Sequence, residues 1–192
     1  MNMNEVIANL ALEIMGYKKA EYKYCSPYDH VNMSQSTNDA YPTAVKLGII
    51  FSNNLLLKAL QELTDSFRQK GKELKDVLTM GRTHLQDAVP ITHGQIFDGY
   101  AAALDKEIIS LKEVTEQLLE INMGATAVGT GLNAAPGFDT LCAENLSKIT
   151  NLKFTAAKNL VEATWNTSGF VAYSSKLKQL ASVLSKICND LR

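Results

Sequence analysis

Three stretches of this sequence repeat an apolar residue at every third or fourth position. Leu56, Leu60, Leu63 and Phe67 form one seam; Leu104, Ile108, Leu111, Val114, Leu118 and Ile121 form a second. Leu177, Leu180, Leu184, Ile187 and Leu191 form a third. This rhythm belongs to long helices that pack side by side along a narrow apolar stripe. It predicts helices over about 38–72, 92–121 and 156–191, the second on the order of 45 Å long. Val6, Leu10 and Ile14 predict a shorter helix over 4–15, stopped at Gly16, and Asp139 is a candidate N-cap for another over 139–150. Pro42 falls near the start of the first long helix, where a proline is tolerated. Residues 17–36 and 74–90 break the pattern and read as irregular. Residues 122–137 hold Gly124, Gly129, Gly131, Pro136 and Gly137 and read as a turn-rich connection. The expected fold is all-α, an elongated bundle of long antiparallel helices. Its seams exceed what one bundle can cover, so association with further copies is expected.

The chain has 192 residues, 46% of them hydrophobic, enough for one sizeable core. Nineteen basic and 20 acidic residues leave a net charge of -1, with no electrostatic footprint for nucleic acid or an anionic membrane surface. Polar residues interrupt the apolar stretches, which argues against a membrane span, and no secretion signal opens the chain. Cys25, Cys142 and Cys188 are odd in number and irregularly spaced, which predicts free thiols in a reducing cytoplasm rather than disulfides or a zinc site. No P-loop, dinucleotide fingerprint, HExxH or GxSxG is present, and no metal or cofactor is expected.

Two polar stretches stand out between the seams. The first runs from Asp29 to Asp39 and places Ser36, Thr37 and Asn38 where the first long helix should begin. Small polar residues there serve as ordinary N-caps. They also suit an anion site, because the free amides and positive dipole end of a helix sit beside hydroxyl donors. The second runs from Gly81 to Pro90 and pairs the Thr83 hydroxyl with His84, a group able to change charge near neutrality. A lone histidine is equally at home as a satisfied structural residue, and Arg82 reads better as an ion-pair partner than as a ligand. Residues alone leave both readings open.

Taken together and in order, the motifs resemble a known family. Asp29-His30-Val31-Asn32-x-Ser34-Gln35-Ser36-Thr37-Asn38-Asp39 and Gly81-Arg82-Thr83-His84-Leu85-Gln86-Asp87-Ala88-x-Pro90 are similar to two of the three signature regions of the aspartase/fumarase superfamily. Met3 to Asn9 and Gly129-Thr130-Gly131-Leu132-Asn133 resemble further family segments. The resemblance covers essentially the whole chain. Thr37, where fumarases usually carry a second serine, favours the aspartase branch, as do Ala88-Val89-Pro90 and the segment from Ser185 to Arg192.

The resemblance implies the reversible deamination of L-aspartate to fumarate and ammonia through an aci-carboxylate. It implies that Ser36 and Thr37 donate to the β-carboxylate, that Asn38 and His84 sit near the departing amine, and that Thr83 helps hold the α-carboxylate. His84 is the one catalytic candidate. It further implies a homotetramer whose active sites draw on three subunits, and a cytoplasmic location. The family's base, a serine in a loop of the type GSSxMPxKxNP, has no counterpart in this sequence. Residues 1–36 are therefore expected to be a remnant of an N-terminal domain with the first signature loop, and 37–192 part of the central helical bundle. The whole is expected to be an internal fragment, inactive alone. A class II fumarase fragment, or a helical oligomerisation module without activity, are the alternatives. Ser26-Pro27-Tyr28 departs from the family pattern and puts a secondary anion site near that loop in doubt; His93 is expected to be structural.

Overall fold

A computed structural model describes residues 2–192. Its helices are α1 (Asn2–Ile14), α2 (Thr37–Glu73), α3 (His93–Glu116), α4 (Phe138–Thr150), α5 (Leu160–Trp165) and α6 (Ser168–Leu191). A π-helical turn spans Pro27–Val31, and a 3-10 turn spans Gln117–Leu119. Strands β1 (Leu78–Thr83) and β2 (Gln86–Thr92) pair antiparallel, and β3 (Glu120–Ile121) pairs in parallel with β4 (Thr155–Ala156). The chain divides into two compact units, Met1–Lys46 with Leu119–Asn166, and Leu47–Leu118 with Thr167–Arg192.

In the second unit the three seams meet. Leu60, Phe67, Tyr100, Leu104, Ile108, Leu111, Val114, Tyr173, Leu180 and Ile187 form one buried cluster. Phe67 stacks edge-on to Tyr100 and near Phe97, so the end of α2 meets the start of α3. Tyr100 donates to Asp190, so the start of α3 meets the end of α6, and α3 runs antiparallel to both neighbours. Leu177 and Leu191, expected in the third seam, are instead exposed.

The expected second long helix ends at Glu116, because Gln117–Leu119 tightens into a 3-10 turn and the chain then extends into β3. The expected third long helix is two helices. Asn166 adopts an extended backbone and Thr167 a non-helical one, and they part α5 from α6. Gly137, not Asp139, is the N-cap of α4, in a left-handed conformation. In α1 the expected apolar face of Val6, Leu10 and Ile14 is exposed, and Ala8 and Leu12 are buried instead. Helical spacing marks a stripe but not the side that finds a partner.

Contrary to expectation, α2 is long and apolar enough by composition to cross a membrane, so polar interruption alone does not exclude a span. Its polar residues behave as in a packed bundle: Asn53 is buried and accepts from the Tyr173 hydroxyl at 3.1 Å.

The stretch 74–90, expected to be irregular, folds at its centre into the β1–β2 hairpin. Its entry to α3 is tightly made. Thr92 and Gln95 form a reciprocal capping box at 3.0 and 3.1 Å. His93 donates its backbone N–H to Val77 and Gly94 to Leu74, which gives His93 a place in a structural turn. A Cβ on Gly94 would lie 2.5 Å from the Lys75 Cα and 2.7 Å from the Gly71 carbonyl. Both obstacles are backbone and cannot rotate away. Gly94→Ala should therefore lower stability by about 1–3 kcal/mol, measured as a drop in the denaturation midpoint at unchanged m-value.

Burial, and then the hydrogen bond and charge of Asp190, push the Tyr100 phenol from 10.0 up to about 12. A raised folded-state value means stability that is intact below the unfolded value and lost as pH climbs through the folded one. Tyrosinate absorbance should show a phenol titrating near 12, absent in Tyr100→Phe, with stability falling across that alkaline window.

Candidate functional site

The 36–38 tripeptide sits in the first unit, at the N-terminus of α2. Ser36 Oγ accepts from the Asn38 N–H at 3.2 Å, so the ordinary capping role is realised. Its own hydrogen remains available to an acceptor such as a carboxylate. Thr37 and Asn38 are exposed. The Asn38 amide donates to the Ala127 carbonyl at 2.7 Å, which ties it to the glycine-rich connection.

Asn32, Ser34, Ser36, Thr126 and Asn133 help line a cleft of about 380 Å³. Most of its lining residues carry polar side chains, and it sits at the positive end of a helix, which suits a small anion. The glycine-rich segment therefore does more than turn the chain: its Thr126, Ala127, Leu132 and Asn133 line the cleft.

Pro42 is inside α2 rather than in its first turn. Lacking an N–H, it leaves the Asn38 carbonyl without its i+4 donor. Asn122, fully buried, donates its side-chain amide to that carbonyl at 3.0 Å. Asp39, also fully buried, accepts from the Ser36 N–H at 2.8 Å and from the Thr126 N–H at 3.0 Å. Sequence reasoning missed Asn122 and Asp39 as site residues. The spacing of Ser36 and Asp39 does match a capping pair, a signal that was available; nothing local marks Asn122.

Thr83 and His84 lie in the second unit, at the tip of the β1–β2 hairpin, and both are exposed. Thr83 pairs with Gln86 across a two-residue turn of His84 and Leu85, with φ of 50° and 63°. Two positive φ values match the right-handed twist of a hairpin, but the turn usually takes Asn-Gly. Each non-glycine residue there costs roughly 1–2 kcal/mol, a conformation of the kind held at sites where a side chain must be presented. Arg82 pairs with Asp87 at 3.2 Å, in keeping with its expected ion-pair role.

At the departing Ser26-Pro27-Tyr28 segment, Ser26 Oγ accepts from the Tyr28 and Asp29 amides at 3.2 and 3.1 Å and donates to the Asp29 carboxylate. Those amides are already capped, and an acidic side chain faces them. The three cysteines are free thiols. Burial first, then the Asp39 and Asp139 charges, raise the Cys142 thiol, the opposite of an activated nucleophile. Among the described residues no three His, Cys, Asp or Glu side chains converge as a metal site would require.

A family model described as Lyase matches residues 1–192. The chain belongs to the lyase family. The aspartate ammonia-lyase of Helicobacter pylori is 50% identical over 192 residues, covering all of this chain and 41% of that enzyme. That of Escherichia coli K12 is 46% identical, with 40% of its length covered. Among solved structures, the fumarate lyase:delta crystallin of Brucella melitensis superposes with a TM-score of 0.97 at 48% identity, over the whole chain and 42% of its own. A class II fumarase of Schistosoma mansoni gives 0.92 at 32% identity, over 98% of this chain and 43% of its own. The chain thus spans about two fifths of the length of these relatives. Both the aspartase/fumarase resemblance and the helical fold are in agreement with these matches.

Proposed function

We propose that this lyase chain supplies two signature segments to an active site that deaminates L-aspartate to fumarate and ammonia. The observation that carries the reading is the cleft at the start of α2, where the Ser36 hydroxyl is capped on one side and free to donate on the other. The hard step removes a weakly acidic proton from the carbon beside the β-carboxylate and turns that carboxylate into a dianion. Ser36 and Thr37 donate to it; charge that grows in the transition state is where fixed donors contribute most. By the family resemblance, Asn38 and His84 hold the amine end and Thr83 the α-carboxylate, in a site drawn from more than one copy. His84 orients more than it abstracts. The proton-abstracting serine loop is absent from this sequence, so the chain alone is inactive. Relatives named aspartate ammonia-lyase stand near 50% identity and the fumarase at 32%, which favours ammonia over water as the group eliminated.

The exposed Val6, Leu10 and Ile14 on α1, and Leu177 and Leu191 on α6, are surfaces that further copies would cover, and a homotetramer is the assembly this reading favours. The reading places it in the cytoplasm.

These 192 residues, carried in place of the matching segment of a full-length aspartate ammonia-lyase, should consume L-aspartate and leave L-malate untouched, followed by fumarate absorbance. Malate turnover would favour the fumarase reading. Aspartate turnover by the isolated chain at an ordinary enzymic rate would defeat this division of labour.

A further inference from the structure

We propose that Asp39 is a positioning residue of this site: its buried carboxylate bridges the Ser36 and Thr126 amides and so sets the Ser36-Thr37-Asn38 donors against the glycine-rich wall of the cleft. The inference rests on the reading of that cleft as a carboxylate site. Asp39 is fully buried, and its two oxygens are divided, one to Ser36 at 2.8 Å and one to Thr126 at 3.0 Å. The first bond is local and completes the capping pair with Ser36 Oγ. Capping alone does not call for a buried charge, because an exposed side chain satisfies the same amide without desolvation. Removing a carboxylate from water is costly, and only strong, charge-assisted bonds offset that cost.

The second bond spans 87 positions in sequence and joins the helix start to the segment that lines the cleft opposite it. Two further ties run the same way. Asn38 reaches the Ala127 carbonyl, and Asn122 reaches the carbonyl that Pro42 leaves free. Thr126 itself keeps a buried hydroxyl with no partner, although only 7% of the residue is exposed. Asp39 thus holds the donors without touching substrate.

The test compares wild type, Asp39→Asn and Asp39→Glu in the 192-residue chain, by amide NMR and by titration with fumarate. Asparagine keeps one acceptor and loses the other along with the charge. In Asp39→Asn the Ser36 and Thr126 amides should lose hydrogen-exchange protection together while the middle of α2 keeps its own. Fumarate binding should weaken by about tenfold or more, with partial rescue by Asp39→Glu and unchanged overall helicity. Wild-type binding that Asp39→Asn leaves equal would overturn the positioning role and leave the proposed function standing. If the wild-type chain ignores fumarate, the comparison of binding falls away and the proposed function is left standing. The amide arm then still decides, since protection unchanged at Ser36 and Thr126 would sink the bridge. General loss of helix signals in Asp39→Asn, without selective loss at those two amides, would assign Asp39 to stability alone and also overturn the proposal.

Discussion

Ser36→Ala, made in the 192-residue segment carried within a full-length aspartate ammonia-lyase, should lower kcat for aspartate deamination by about 10²–10³-fold. The substitution removes the hydroxyl hydrogen that has no acceptor within the α2 cap, and with it the donor that the proposed function directs at the developing dianion. A donor that matters mostly in the transition state changes kcat and kcat/KM together and leaves KM nearly still. Losing the cap itself costs only about 1 kcal/mol of helix stability, too little to unfold the segment. Thr37→Val should behave in the same direction, and the double variant should show less than the product of the two losses if both hydroxyls serve one carboxylate. A rise in KM at constant kcat would assign Ser36 to ground-state binding and contradict its role as a transition-state donor.

Gly129→Ala should produce the largest structural effect of any single methyl group in the first unit. Gly129 has φ +94°, and a Cβ there would lie 2.3 Å from the Val161 Cα, 2.5 Å from its nitrogen and 2.6 Å from the Leu160 carbonyl. All three obstacles are backbone in the first turn of α5, so no rotamer change relieves the clash. Left-handed strain of roughly 1–2 kcal/mol adds to overpacking of about 1–3 kcal/mol, for a loss on the order of 2–5 kcal/mol. The consequence extends beyond stability. Moving this segment moves the Thr126 amide that bonds Asp39 and the Ala127 carbonyl that holds Asn38. Denaturant midpoints should fall sharply, and dicarboxylate binding should weaken even at temperatures where the variant remains folded. Unchanged midpoints would mean that α5 can step away, and that the close approach is not a constraint on the fold.

The candidate residues were legible in the sequence because each group is contiguous. Ser36-Thr37-Asn38 and Thr83-His84 are short runs of side chains whose chemistry is visible in the letters, and their order along the chain points to one family. Asn122, and the distant half of the role of Asp39, escaped for a different reason. Their roles depend on partners 87 and 84 positions away, and no periodicity marks a bond of that separation. The hairpin was missed because its strands are largely exposed and lack the alternation of a buried face. The break between α5 and α6 was missed because an apolar seam continues on either side of Asn166 and Thr167, and polar residues within a stripe read as its outer face.

Local chemistry is enough to dictate that this chain builds long helices, where their apolar stripes lie, and which hydroxyls stand at the start of the first of them. Backbone propensity and side-chain identity act over a few residues, so a linear reading reaches them. Which stripe is covered and which left bare, how the carbonyl freed by Pro42 finds a donor, and how a buried carboxylate joins a cap to a distant loop were settled only by folding. Those outcomes follow from burial and hydrogen-bond satisfaction, which count neighbours in space.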